Sequence, residues 1–170
     1  DRQVARVIRS TLKLPGYNVF KFVNDEDLVI PVTRRHVNDY IKEIMGENFS
    51  AKDFRTWAGT LVCACALARN LEGELNGNGS ASNGAGLNGT KQSRAAIKKK
   101  IVAAIKETSE VLGNTPAVCR SSYVCPEIIL SYEKGRVIDA CFTKLEDLVA
   151  FRGHGLHKAE RALLRFMRRG

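Results

Sequence analysis

Long apolar runs and paired cysteines are both missing from this sequence. Charged residues interrupt every apolar stretch before it reaches the roughly 18 residues that a membrane-spanning helix needs, which excludes membrane insertion. The five cysteines are odd in number and lie among small apolar residues, unlike the cysteine framework of a secreted domain. No signal-peptide pattern opens the chain. We therefore expect a reducing, cytoplasmic setting.

Motifs for nucleotide hydrolysis and metal binding are also missing. The sequence has no Gly-x-x-x-x-Gly-Lys-Ser/Thr loop and no carboxylates at metal-ligand spacing. Cys63 and Cys65 lie two residues apart in a predicted helix, where their side chains point about 200° apart around the axis. This spacing favours small core residues over a metal site. We expect no cofactor and no metal. The three histidines share no ligand spacing and are predicted at the surface: His36, His154 and His157.

The sequence has enough apolar residues for a sizeable core, and it has an excess of positive charge. Of its 170 residues, 44% are hydrophobic, and the net charge is +9, which fits one globular domain. Basic residues concentrate in residues 91 to 106 and 152 to 170. Such clusters suit a polyanion, because each neutralised phosphate releases counterions. Solvated helix faces and an acidic membrane surface are the alternatives that composition leaves open.

Periodicity predicts a mainly helical fold with one small β-hairpin near the N-terminus. Two extended runs, residues 18 to 23 and 28 to 32, flank an acidic turn. After residue 33 the apolar residues recur at helical spacing, and glycine, proline and capping residues mark the helix ends. Two capping boxes are predicted, formed by Ser50 with Asp53 and by Thr143 with Glu146.

We expect a single domain over residues 1 to 170 with two special regions. Residues 72 to 93 are rich in Gly, Asn and Ser and are predicted to form a flexible insertion, since they have little to bury. Residues 143 to 170 are predicted to form a basic helical region. The chain begins at Asp1 without a methionine, so we expect a fragment whose N-terminal part is absent.

Two segments carry possible chemistry. Residues 51 to 60 place Arg55 in the first turn of a long helix, where its guanidinium can help the helix N-terminus to hold a phosphate. Residues 112 to 123 place Asn114 after a helix-ending glycine and nine residues before Tyr123. Taken singly, each is weak, because a lone arginine is more often a surface group and a lone tyrosine a half-buried core residue.

Together, these segments resemble the type IB DNA topoisomerases, and specifically the bacterial branch of that family. The similar motifs are Lys-Asp-Phe-Arg-Thr-Trp at residues 52 to 57, Leu-Gly-Asn-Thr-Pro-Ala-Val-Cys-Arg at residues 112 to 120, and Ser-Tyr-Val-x-Pro at residues 122 to 126. The resemblance extends from about Arg6 to the last helix, with residues 72 to 93 as its chief departure. It implies the helical catalytic fold that topoisomerases IB share with tyrosine recombinases, and relaxation of supercoiled DNA without ATP or metal.

The resemblance also implies roles for three catalytic residues. Tyr123 would be the nucleophile that forms a 3′-phosphotyrosyl link with one DNA strand and frees a 5′-hydroxyl. Arg55 would bind the non-bridging oxygens of the cleaved phosphate. Asn114 matches a position that is often His in viral and eukaryotic members. Its amide can donate a hydrogen bond but cannot transfer a proton, so its expected role is stabilising.

The expected partner is double-stranded DNA, bound by a monomer in the nucleoid-associated cytoplasm without membrane contact. The residues predicted to contact DNA are Lys52, Lys98, Lys99 and Arg120. The family's second active-site arginine and its general-acid lysine have no matching motif in the chain and are expected upstream. We therefore expect the chain alone to relax DNA very poorly or not at all.

Two other functions are alternatives. A tyrosine recombinase or integrase shares the fold and the order of the three residues, but its arginine box usually reads His-x-Leu-Arg-His, whereas residues 52 to 56 read Lys-Asp-Phe-Arg-Thr. A non-catalytic DNA-binding module would keep the basic helices and use Tyr123 only for packing.

Overall fold

The computed structural model describes residues 2–77 and 93–168, and over these ranges it is mainly helical with one small hairpin, which confirms the predicted fold class. The elements in chain order are α1 (Arg2–Leu12), β1 (Lys21–Val23), β2 (Val29–Pro31), α2 (Arg34–Met45), α3 (Ala51–Gly77), α4 (Arg94–Leu112), α5 (Pro116–Ser122), α6 (Pro126–Glu133), α7 (Leu145–Ala150) and α8 (Lys158–Arg168).

The chain divides into two compact units, Asp1–Asp53 and Phe54–Gly170. A single domain over residues 1 to 170 stays a prediction. The predicted flexible insertion overlaps α3 at its start, since that helix continues to Gly77, and it ends at Ser93, whose side chain accepts a hydrogen bond from the Ala96 N–H and caps α4. Residues 78 to 92 lie outside the described residues, and flexibility there also stays a prediction.

The unit Asp1–Asp53 contains the predicted hairpin. Strands β1 and β2 pair antiparallel, with Phe22 opposite Ile30. The turn between them is closed by the Asn24 side-chain oxygen, which accepts hydrogen bonds from the N–H groups of Glu26 (3.2 Å) and Leu28 (2.8 Å). An asparagine that bonds to its own turn in this way specifies the turn locally. The strands are shorter than predicted, because only three residues on each side form the ladder.

Two helix starts show how side chains set the helix boundaries. Asp53 accepts two hydrogen bonds of 2.8 Å from Ser50, one from its N–H and one from its hydroxyl, and these bonds lower the pKa of the Asp53 carboxyl. The other predicted capping box, Thr143 with Glu146, is wrong by one residue. Helix α7 begins at Leu145, and the Lys144 N–H donates to the Asp147 carboxylate at 3.2 Å.

The core of Phe54–Gly170 is built around α3. Every residue of α3 from position 61 to position 68 is buried, so this part of the helix is covered on all sides and acts as a central rod. Helices α4, α6 and α8 pack their apolar residues into the same cluster, including Ile105, Ile128 and Leu163. Cys63 and Cys65 are fully buried, and burial raises the pKa of each thiol to about 12. Their predicted place in the core is confirmed.

The histidine predictions are right at two positions and wrong at the third. His36 and His154 are exposed. His157 is only 7% exposed because it stands at the start of α8. Its N–H donates to the Glu160 carboxylate at 2.8 Å, and its Nδ1 accepts from the Ala159 N–H at 3.2 Å. The ring nitrogen therefore pairs with one of the N–H groups at the start of α8, and the ring is shielded from solvent.

Within the described ranges, no helix has both the length and the apolar content that crossing a bilayer demands.

Helix α3 lies flush against the segment that follows α5, and Gly59 permits this contact. A Cβ added at Gly59 would stand 2.6 Å from the backbone oxygen of Tyr123 and 3.0 Å from a methyl carbon of Leu112. Backbone atoms cannot retreat as a flexible side chain can. The glycine is therefore required for the close packing of these elements.

We predict that Gly59→Ala lowers the free energy of unfolding by about 1–3 kcal/mol, the usual cost of overpacking, although alanine normally improves a helix. Urea unfolding followed by the fluorescence of Trp57, the single tryptophan of the chain, measures the change. Ala103→Gly, at an exposed position inside α4, is the control and should cost about 1 kcal/mol through helix propensity. A stabilised Gly59→Ala variant would contradict the packing argument.

Candidate active site

Tyr123 stands directly after the short helix α5. Thr115 caps the start of that helix by accepting from the Val118 N–H, and Pro116 takes the first helical position. At the other end, the Tyr123 N–H donates to the Cys119 carbonyl at 3.0 Å. The side chain is half-buried, so one helix end presents a tyrosine at the protein surface.

Arg55 reaches Tyr123 from α3. Its guanidinium carbon lies 4.9 Å from the centroid of the Tyr123 ring, in a cation–π contact. Its Nη2 donates to the backbone oxygen of Leu112 at 2.9 Å. The two candidate residues lie 68 positions apart in the sequence, and the fold makes them neighbours.

The end of α4 explains why the arginine is held there. Leu112 is the last residue of this helix, and Gly113 follows with φ 65° and ψ 38°, a left-handed conformation that ends it. The last carbonyls of a helix lack partners within the helix and carry the negative end of its dipole. The Leu112 oxygen is therefore a natural acceptor for the guanidinium of Arg55. Among the described residues, Arg55 pairs with no carboxylate, so its positive charge is not neutralised.

Asn114 lies at the same helix end, two residues after Leu112. Its backbone N–H donates to the Ser109 carbonyl at 2.9 Å and completes the helix stop. Its side-chain nitrogen is buried and has no hydrogen-bond partner in the part of the chain that the structure describes. A buried donor without a partner costs about 1–3 kcal/mol. This amide would therefore gain from an acceptor supplied by a ligand.

The residues predicted to contact DNA lie on three different parts of the fold. Arg120 is exposed on α5, three residues before Tyr123, and Lys52 is exposed near the start of α3 in the unit Asp1–Asp53. Lys98 and Lys99 are exposed near the start of α4, and Lys98 is separated from Leu112 by about 21 Å along the axis at about 1.5 Å per residue. The structure therefore does not bring these two lysines to Tyr123.

Sequence patterns did not identify Gly59, Thr60 or the Leu112 carbonyl as parts of this site. The Thr60 hydroxyl donates to the Tyr123 carbonyl and accepts from the Cys125 N–H. The available signals were a glycine inside a predicted helix, which often marks close packing, and a helix stop at Gly113. Within the described residues there is no group of three or more His, Cys, Asp or Glu side chains that could hold a metal.

Two comparisons with known proteins show the family of the chain. The family model described as eukaryotic DNA topoisomerase I, catalytic core, matches residues 1–134. The chain is also 34% identical over 121 residues to a protein of Acanthamoeba polyphaga mimivirus named DNA topoisomerase 1B. That similarity covers 69% of this chain and 32% of the viral protein, so the chain spans about a third of the length of the curated relative it matches. The chain belongs to the family of the eukaryotic DNA topoisomerase I catalytic core.

Proposed function

We propose that this chain is the tyrosine-bearing part of a type IB DNA topoisomerase, which relaxes supercoiled DNA through a transient single-strand break. The observation that carries the proposal is the contact between the Arg55 guanidinium and the Tyr123 ring at 4.9 Å. A nucleophile and an unneutralised cation at one surface can flank a single phosphate. Family membership supports the same chemistry.

In the proposed reaction, the Tyr123 phenolic oxygen attacks a phosphodiester of duplex DNA. A bond from the phosphorus to tyrosine forms, the bond to the 5′-oxygen breaks, the phenol loses its proton, and the 5′-oxygen gains one. The broken bond is conserved as a 3′-phosphotyrosyl ester, so resealing by the 5′-hydroxyl needs no ATP. Between the two steps the free end turns and supercoils are lost.

Arg55 is proposed to stabilise the charge that grows on the phosphate. A guanidinium offers five N–H donors in a rigid fork, and the Leu112 oxygen takes a bond from only one nitrogen of Arg55. The remaining donors can meet the non-bridging oxygens, where a fixed cation lowers the barrier most.

Asn114 is proposed to donate its unpartnered amide hydrogen bond to a phosphate oxygen. Arg120, three residues before the tyrosine, is proposed to hold the neighbouring DNA backbone, and Lys52 is proposed as a DNA contact of the unit Asp1–Asp53. Lys98 and Lys99, about 21 Å from the Leu112 end of α4 along the helix axis, are proposed to contact DNA away from the cleaved phosphate. We propose that the protein acts as a monomer on double-stranded DNA in the nucleoid-associated cytoplasm.

The bacterial branch of the family is a narrower assignment. Two rival assignments are a tyrosine recombinase and a non-catalytic DNA-binding module. The bacterial assignment rests on the sequence motifs alone, and neither comparison supports it. A recombinase would exchange strands at a defined site, whereas a topoisomerase leaves relaxed circles without strand exchange. A DNA-binding module would form no covalent adduct.

The experiments below use the protein expressed from its complete natural gene, because the chain shows no motif for the second arginine and the general-acid lysine of the family.

Tyr123→Phe should abolish the covalent adduct, since the ring remains but the attacking oxygen is gone. Supercoiled plasmid is incubated with protein and a metal chelator, then denatured, and protein attached to 3′ ends is counted. We expect at least a thousand-fold loss of adduct with duplex affinity within about twofold. Adducts that persist in this variant would exclude Tyr123 as the nucleophile. Wild-type protein that never forms them would favour the module.

Arg55→Lys should lower the single-turnover cleavage rate by about 10²–10³-fold, the usual loss when one oriented donor to a transition-state oxyanion is removed. Lysine keeps the charge but cannot bind two oxygens with one planar fork. Arg161→Lys is the matched control, because Arg161 is also exposed and donates to a backbone carbonyl, that of Leu156 at 2.8 Å. Equal losses in the two variants would show that the Arg55 effect is structural.

Replacing Lys98 and Lys99 together by alanine should weaken duplex binding without slowing cleavage at saturating DNA. Two lost phosphate contacts reduce the slope of log affinity against log salt by about 1.8. Fluorescence anisotropy over a range of salt concentrations measures this slope, and the double arginine variant should restore it. An unchanged slope would mean that both lysines are only solvated.

A further inference from the structure

The buried hydroxyl of Thr60 touches the main chain around Tyr123 at two points. The side chain is 4% exposed. Its Oγ1 accepts a hydrogen bond from the Cys125 N–H at 3.1 Å and donates to the Tyr123 carbonyl at 3.4 Å. A single hydroxyl therefore spans the peptide groups on the C-terminal side of the tyrosine.

Those two groups belong to a connection that regular structure does not hold. Helix α5 ends at Ser122 and α6 begins at Pro126. The Tyr123 N–H, before the tyrosine, and the Val124 N–H, directly after it, both donate to the Cys119 carbonyl, at 3.0 Å and 3.1 Å. Thr60 adds a bond to the Tyr123 carbonyl and one to the Cys125 N–H, further towards α6. Without its hydroxyl, a partly buried N–H and carbonyl would lose their partner, which is a costly state.

Thr60 also belongs to the helix that carries the arginine. Arg55 and Thr60 lie five residues apart on α3, and Gly59 between them brings the helix against the Tyr123 backbone. The helix is rigid over this distance, so the backbone positions of the two residues keep a fixed separation. Arg55 contacts the tyrosine ring while Thr60 holds the tyrosine main chain. Helix α3 thus carries the guanidinium and also contacts the main chain of the tyrosine, while the Leu112 carbonyl of α4 accepts a hydrogen bond from Arg55.

We propose that Thr60 is a positioning residue for the Tyr123 nucleophile. This inference rests on the topoisomerase function proposed above and adds a residue that touches neither DNA nor the reacting atoms. A displacement of about 1 Å at a reacting atom can cost about a hundredfold in rate. The same phenolic oxygen attacks in cleavage and leaves in resealing, so a misplaced tyrosine slows both directions together.

The test compares Thr60→Val with Thr60→Ser. Valine keeps the shape of threonine and removes the hydroxyl, whereas serine keeps the hydroxyl. In single-turnover assays with a nicked duplex and the natural full chain, Thr60→Val should cleave and reseal about 10–100-fold more slowly. The ratio of the two rate constants and the duplex affinity should stay within about threefold. Thr60→Ser should recover both rates to within about threefold of wild type.

Thr108→Val is the matched control for stability. Thr108 is fully buried and donates to the Ala104 carbonyl at 2.7 Å, inside α4. Removing this hydroxyl in Thr108→Val should lower the melting temperature as Thr60→Val does. The rate constants of cleavage and resealing should stay unchanged. Equal slowing in the two variants would show that lost stability explains the effect, and the proposal would be overturned.

A second measurement needs no DNA. Amide hydrogen exchange at Cys125, followed by NMR in the natural full chain, should accelerate at least tenfold in Thr60→Val and stay near wild type in Thr60→Ser. Unchanged exchange would overturn the proposed contact. If Tyr123→Phe still forms adducts, the topoisomerase proposal fails and the positioning proposal falls with it. If it forms none and Thr60→Val keeps wild-type rates, only the positioning proposal fails.

Discussion

The candidate site depends on the hydrogen bond and the ring contact that hold the Arg55 guanidinium. A helix end holds this arginine through the Leu112 carbonyl, and the Tyr123 ring covers one of its faces. Neither partner carries a full negative charge. A carboxylate in the same place would fix the arginine more tightly, but it would also cancel the charge and compete with a phosphate. The dipole of α4 orients the cation and leaves its charge available.

Other arginines of the second unit show the contrast. Arg69 is paired with Glu107 and also donates to the Phe142 carbonyl, while Arg165 binds the Asp139 carboxylate at 2.8 Å and 3.0 Å. These pairs tie together distant parts of the fold, although exposed ion pairs contribute little stability. An arginine with a carboxylate partner must give up that partner before it binds DNA. Arg55 has no such competitor among the described residues, which separates it from the structural arginines.

Sequence patterns predicted the fold well, because the apolar faces of α4 and α6 repeat locally and glycine and proline mark their ends. They failed where a polar side chain bonds to a nearby backbone group, as at His157 and at the start of α7. The site itself was a different problem. Residue patterns made Arg55 and Tyr123 only weak candidates when each was taken singly, and the resemblance to family motifs joined them. The hydrogen bond from Arg55 to the Leu112 carbonyl and the contact of Thr60 with the Tyr123 backbone depend on packing between separate helices. A local sequence pattern does not indicate such packing.

The short helices that carry Tyr123 depend on the long helix α3 for support. Helix α5 has seven residues and α6 has eight, and helices of this length are marginal without tertiary support. The position of Tyr123 therefore depends on contacts with α3, whose residues 61 to 68 are all buried. Under the proposed function, the tyrosine stays bonded to a DNA end while the other end turns. The rigid helix keeps the arginine in place, so the two groups meet again in the same geometry when the strand is resealed.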